Sequence, residues 1–98
     1  MPSFLFQIEL PPIHEQILAL IPSHREHINK LFSEGKISSY CVSLQRDYIW
    51  CVISAEEEKQ AMEIVSGFPL QKFFADVSCH QLLFHSMAPT ALPEISLN

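Results

Sequence analysis

Glu9 and His80 are the two side chains of this chain best suited to moving a proton. A carboxylate buried on a strand has its pKa raised towards neutrality, where a general base works best, and an imidazole already titrates near there. Glu9 is therefore expected as base and His80 as its partner acid, provided the two meet. Tyr40 and Trp50 are expected to form apolar walls around a ring, with Gln7 and Tyr48 completing the lining. A carboxylate, an imidazole, an amide and an indole around one concavity suit a small apolar ligand with one or two polar groups. The same residues equally suit a dimer interface, hydrogen-bonding across it without catalysis.

Other chemistries find less support. His24 and His27 are three apart on a helix, but no third ligand lies near, so exposed helix histidines are expected. His80 and His85 fall on opposite faces of a strand and do not share an ion. No metal site is expected. With only Gly35 and Gly67, no glycine-rich phosphate loop can form, and no nucleophile elbow is present. No cofactor is expected. Cys41, Cys51 and Cys79 are an odd number without close spacing, so they are expected as reduced, buried thiols.

The elements that position these residues follow from periodicity. Phe4, Phe6, Ile8 and Leu10 alternate with Ser3, Leu5, Gln7 and Glu9, which predicts a strand over Ser3–Leu10 with the first set under helices. Ile17, Leu18, Ile21, Ile28, Leu31 and Phe32 follow helical spacing up to a cap at Gly35. Pro22 either kinks that helix or ends it before a second one, capped by Ser23 with Glu26. Strands are predicted over Lys36–Leu44 and Tyr48–Ser54, joined around Gln45-Arg46-Asp47. A second helix is predicted over Ala55–Ser66, with Glu56, Glu57 and Glu58 in its first turn. A last strand is predicted over Phe74–Ser86.

The order is βαββαβ, the ferredoxin-like split unit of the α+β class: a four-stranded antiparallel sheet with helices on one face. The other face stays bare and calls for a partner or a ligand. Gln7 and Glu9, Tyr48 and Trp50, and Ser78 and His80 are expected there; the orientation of Tyr40 is open. Residues 1–86 form the domain. Residues 87–98 carry Leu92, Ile95 and Leu97 among prolines, an extension expected to pack on the domain or on a partner subunit.

In 98 residues there is room for one domain, and a chain so short buries only about two thirds of its unfolded surface. A homodimer or larger homo-oligomer is expected. The net charge is −5 with six scattered Lys and Arg, which excludes the basic stripe that nucleic acid requires. No run approaches the ~20 apolar residues that cross a bilayer, and no signal peptide is evident, so a cytoplasmic location is expected.

With this order in view, the chain resembles the muconolactone isomerase family. The resemblance rests on a strand ending in Leu10-Pro11, the helix end Leu31–Gly35, Tyr40 shortly after it, Trp50 in the next strand, Pro69-Leu70, and a last strand closing with His85. It spans most of residues 4–86. It implies a ferredoxin-like fold, subunits paired into a dimeric α/β barrel, and cofactor-independent isomerisation of a small unsaturated lactone or related organic acid by proton transfer. The Pro22 region, the apolar tail, and Ser38, Ser39 and Ser43 depart from the family pattern. A non-catalytic binding or assembly module of the same fold is the alternative.

Overall fold

The computed structural model describes residues 1–87. Its elements are β1 (Ser3–Glu9), α1 (Glu15–Ser33), β2 (Ile37–Val42), β3 (Tyr48–Ser54), α2 (Glu58–Ser66), a 3₁₀ turn (Gln71–Phe73) and β4 (Asp76–Leu82). The sheet order is β2-β3-β1-β4 and every pairing is antiparallel. This is the ferredoxin-like α+β fold that the element order predicts, with both helices on one face. The expected tail packing of residues 88–98 lies outside the described residues.

The core forms where the alternation requires. Phe4, Phe6 and Ile8 of β1 meet Ile49, Cys51 and Ile53 of β3 beneath Ile28 and Leu31 of α1 and Ala61 and Val65 of α2. Val77 and Cys79 of β4 pack against the same cluster.

The helix α1 runs unbroken through Pro22. Ser23 does not start a second helix; its hydroxyl donates back to the Leu20 carbonyl at 3.1 Å. The N-cap is instead His14, whose Nδ1 accepts from the Gln16 amide at 3.2 Å. At the far end Gly35 takes φ +75, and the amides of Gly35 and Lys36 bond the carbonyls of Phe32 and Leu31. That is the Schellman termination a glycine permits. The helix α2 begins three residues later than periodicity suggests. Ala55 is still tied to the sheet through its amide on the Pro2 carbonyl, so only Glu58 of the three glutamates occupies the first turn.

Two local features decide which residues share a face. Between Ile37 and Ser39 the β2–β3 ladder carries a bulge at Ser38. An extra residue reverses the alternation beyond it. Tyr40 therefore pairs with Cys51 and turns under the helices, while Cys41 pairs with Trp50 on the bare side. In the β2–β3 connection the Arg46 amide closes a turn on the Ser43 carbonyl at 2.9 Å. Arg46 itself has φ +63, the conformation glycine would supply in such a hairpin. Ser43 Oγ fastens the loop, accepting from the amides of Asp47 and Tyr48 and donating to the Asp47 carboxylate at 2.6 Å.

Candidate functional site

The bare sheet face carries most of the residues expected from the sequence. Gln7 faces Trp50 across the β1–β3 ladder, and Trp50 Nε1 donates to Gln7 Oε1 at 3.0 Å. Tyr48 stacks on Trp50 with ring centroids 5.6 Å apart. Glu9 stands between Tyr48 and Asp76, exposed at the end of its strand. His80 is opposite Leu5 and is also exposed. Glu9 and His80 are thus four ladder positions apart, roughly 13 Å at a strand's rise per residue. Within one chain they do not exchange a proton directly. Tyr40 is not among this group: the bulge has placed it on the opposite face.

On that opposite face a half-open cavity of about 510 Å³ lies between α1, the β2–β3 end of the sheet and Leu70. Its walls are largely aliphatic: Leu10, Ile13, Ile17, Ile21, Val42 and Ile49 are among them. His24 and Tyr40 supply a polar pair, with His24 Nε2 and Tyr40 Oη 2.8 Å apart. Arg25 and Arg46 supply charge. The Phe68 ring meets the imidazole edge-on at 5.6 Å.

His24 is the residue that sequence reading missed. Its relative exposure is 4%, not that of a solvated helix histidine. The signal was present, because Ile17, Ile21, His24, Ile28 and Leu31 fall at steps of three and four and trace one helical stripe. A histidine on that stripe is carried into the interior with its neighbours. His27, one position off the stripe, stays half-buried and makes only an edge contact with Phe68.

Burial sets the protonation of the pair. Desolvation, helped by the nearby His27, lowers the His24 pKa to about 4, so the imidazole is neutral at neutral pH. Desolvation also raises the Tyr40 phenol well above its ordinary value, with smaller contributions from Cys51 and Cys41. A phenol is the better donor and a neutral imidazole nitrogen the better acceptor. The favoured arrangement has Tyr40 donating to Nε2 and the proton of His24 on Nδ1. That Nδ1 is buried with no protein partner. An unsatisfied buried donor is costly, of order 1–3 kcal/mol.

Cys51 is buried in the core, where desolvation pushes its pKa up to about 12 and leaves it inert. Cys79 is half-buried, and Cys41 is exposed on the bare face rather than buried as expected. Among the described residues no group of three or more His, Cys, Asp or Glu is arranged to hold a metal ion. No helix among them is long and apolar enough to cross a membrane.

No protein-family model matches the chain, and no curated protein is similar to it in sequence. Solved structures do match. One is 5-chloro-2-hydroxyhydroquinone dehydrochlorinase (TftG) from Burkholderia phenoliruptrix AC1100, in complex with 2,5-dihydroxybenzoquinone. The two superpose with a TM-score of 0.63 at 17% identity, over 82% of this chain and 92% of the other. Similarity at that level establishes the fold and leaves the activity to be argued from the site.

Proposed function

We propose that this protein binds a small unsaturated organic molecule in the cavity between α1 and the sheet and isomerises it by proton transfer, without a cofactor. One observation carries the reading: a buried, neutral His24 joined to Tyr40 at 2.8 Å on the wall of an otherwise aliphatic cavity. In the reaction Tyr40 Oη takes a proton from carbon beside a carbonyl while its own proton passes along the 2.8 Å hydrogen bond to His24 Nε2. The electron pair moves into a conjugated enolate, and the imidazolium drives the same relay in reverse to return a proton at the remote carbon. Tyr40 thus carries the proton and His24 holds the charge. The resemblance to muconolactone isomerases suggests a small lactone as substrate, and the fold shared with TftG is compatible with one.

The test is deuterium incorporation from D₂O into muconolactone or a simpler butenolide, followed by proton NMR. The native protein should accelerate exchange. His24→Gln should lower the rate by the ~10²–10⁴ typical of a lost general base. A variant retaining the rate within about tenfold overturns this assignment. The second reading, a non-catalytic binding module, is favoured by the low pKa of His24, which makes it a weak base in the empty cavity. Binding of the lactone with no exchange would decide for it.

The assembly belongs to the same proposal. The bare face carries Tyr48 stacked on Trp50, with Leu5 and Val52 between polar neighbours. Two such faces closing on each other would form a dimeric α/β barrel and bury Gln7, Glu9 and His80 as interface groups. Residues 87–98 would strap that interface, as an extension of the 1–86 domain. Sedimentation should give a dimer at micromolar concentration, and Trp50→Asp should give a monomer. A native monomer would refute it, and deletion of 88–98 with an unchanged dissociation constant would refute the strap. A cytoplasmic setting completes the reading and suits three unpaired thiols.

A further inference from the structure

The chain has only two arginines, Arg25 and Arg46, and both line the same cavity. One comes from the middle of α1 and the other from the β2–β3 loop, so only the fold brings them to one place. The four lysines, Lys30, Lys36, Lys59 and Lys72, are absent from its lining. Among the described residues no carboxylate lines the cavity, and neither arginine has an acidic side chain within ion-pairing distance. In a chain of net charge −5, this is a positive rim around an aliphatic interior.

Building on the cavity reading above, we propose that Arg25 and Arg46 form an anion-recognition rim and that the ligand is a small apolar carboxylate. A guanidinium presents a planar fork of donors that matches a carboxylate, which an ammonium does not. The aliphatic walls take the body of the molecule, and a volume of about 510 Å³ lies within the range of small-molecule sites.

Two further observations agree. Arg46 is held at φ +63, where a branched-carbon backbone is disfavoured and glycine or asparagine would be the ordinary choice. Strain of this kind collects where a side chain is used for something other than stability. Beside the rim, His24 and Tyr40 form a polar pair on the cavity wall, with Nε2 and Oη 2.8 Å apart. A bound anion would also favour the charged imidazole, raising the proton affinity of His24 when substrate is present. An empty cavity would thus hold a weak base and an occupied one a stronger base.

The test uses benzoate and benzamide, which share a shape and differ in charge, titrated calorimetrically into the full chain and its variants. Benzoate should bind at least about tenfold more tightly than benzamide, the ratio expected of one charge-assisted hydrogen-bonded contact. Arg25→Gln and Arg46→Gln should each cut benzoate affinity about five- to tenfold and leave benzamide unchanged. The double variant should show no preference, and Arg46→Lys should recover only part of it. Both sites are exposed, so the variants fold, and circular dichroism confirms this before titration. Rising salt should weaken benzoate and spare benzamide. Equal affinities in the native protein, or a preference surviving in the double variant, would overturn the anion rim while leaving the cavity reading intact. Binding of neither probe at millimolar concentration would overturn both. Benzoate binding without lactone exchange would leave the rim standing and remove only the proposed catalysis.

Discussion

The two faces of the sheet are built from the same four strands and yet work differently. The helix-covered face is close-packed along most of its length by Phe4, Phe6, Ile8, Ile49, Cys51 and Ile53. At one end, between α1 and the sheet, lies a cavity lined by His24, Tyr40 and both arginines among others. The bare face shows paired polar and aromatic groups: Trp50 on Gln7, Tyr48 on Trp50, and Glu9 at the rim. In the cavity the His24–Tyr40 pair is desolvated, which lowers the imidazole pKa and raises that of the phenol. The perturbed proton affinities lie on the first face, and the stacked aromatic surface lies on the second. Residue types alone do not separate these roles, because each face carries a histidine and a tyrosine.

Substitutions at matched depths sharpen that contrast. Phe6→Ala removes a fully buried ring and should cost about 3–5 kcal/mol in urea unfolding, enough to threaten the fold. Its ladder neighbour Gln7→Ala on the bare face should cost less than about 1 kcal/mol. Similar losses at the two positions would mean that the bare face is as tightly packed as the core.

Acid should act through the cavity. His24 has a folded pKa of about 4 against 6.5 for the unfolded chain, so the unfolded state binds the proton first. The stabilisation is full above pH 6.5 and is lost as pH falls from 6.5 to 4. The total is about 3 kcal/mol at ~1.4 kcal/mol per pH unit. Denaturant midpoints across that window should fall in the native protein and fall much less in His24→Gln. An equal fall in both would place the titration elsewhere.

Tyr40→Phe keeps the ring and removes the hydroxyl that serves Nε2. It should cost about 1–3 kcal/mol, the penalty for a buried polar atom without a partner. It should also raise or lower the pH at which His24 titrates, read from its ring protons by NMR. An unchanged titration would sever the pair. The smallest effect is expected at Arg46→Gly, which relieves the positive φ and should stabilise by about 0.5–1 kcal/mol. Destabilisation instead would show that the arginine supports the loop and not a ligand.

How much of this was legible in the sequence varies residue by residue. The strand β1 could be read because its pattern has a period of two and one face must leave water, so Phe4, Phe6 and Ile8 had one place to go. Gly35 could be read because a positive φ at a helix end favours glycine. The element order, and with it the four-stranded antiparallel sheet, followed from these local rules. His24 was legible in principle, lying on the apolar stripe of α1, but its residue type argued for solvent.

Tertiary structure decided the rest. Tyr40 joins His24 because a bulge at Ser38 reverses the alternation of β2, and a bulge answers to strand pairing and not to any local propensity. Arg46 takes a glycine's conformation because the hairpin closes around Ser43 and Asp47. Glu9 and His80 part because the register sets His80 opposite Leu5. The cavity draws its walls from α1, β2, β3, the β2–β3 loop and Leu70, which only the fold brings together. Local sequence specifies which residues are helical, extended or buried; which of them meet depends on the relative placement of whole elements, summed over contacts far apart in the chain.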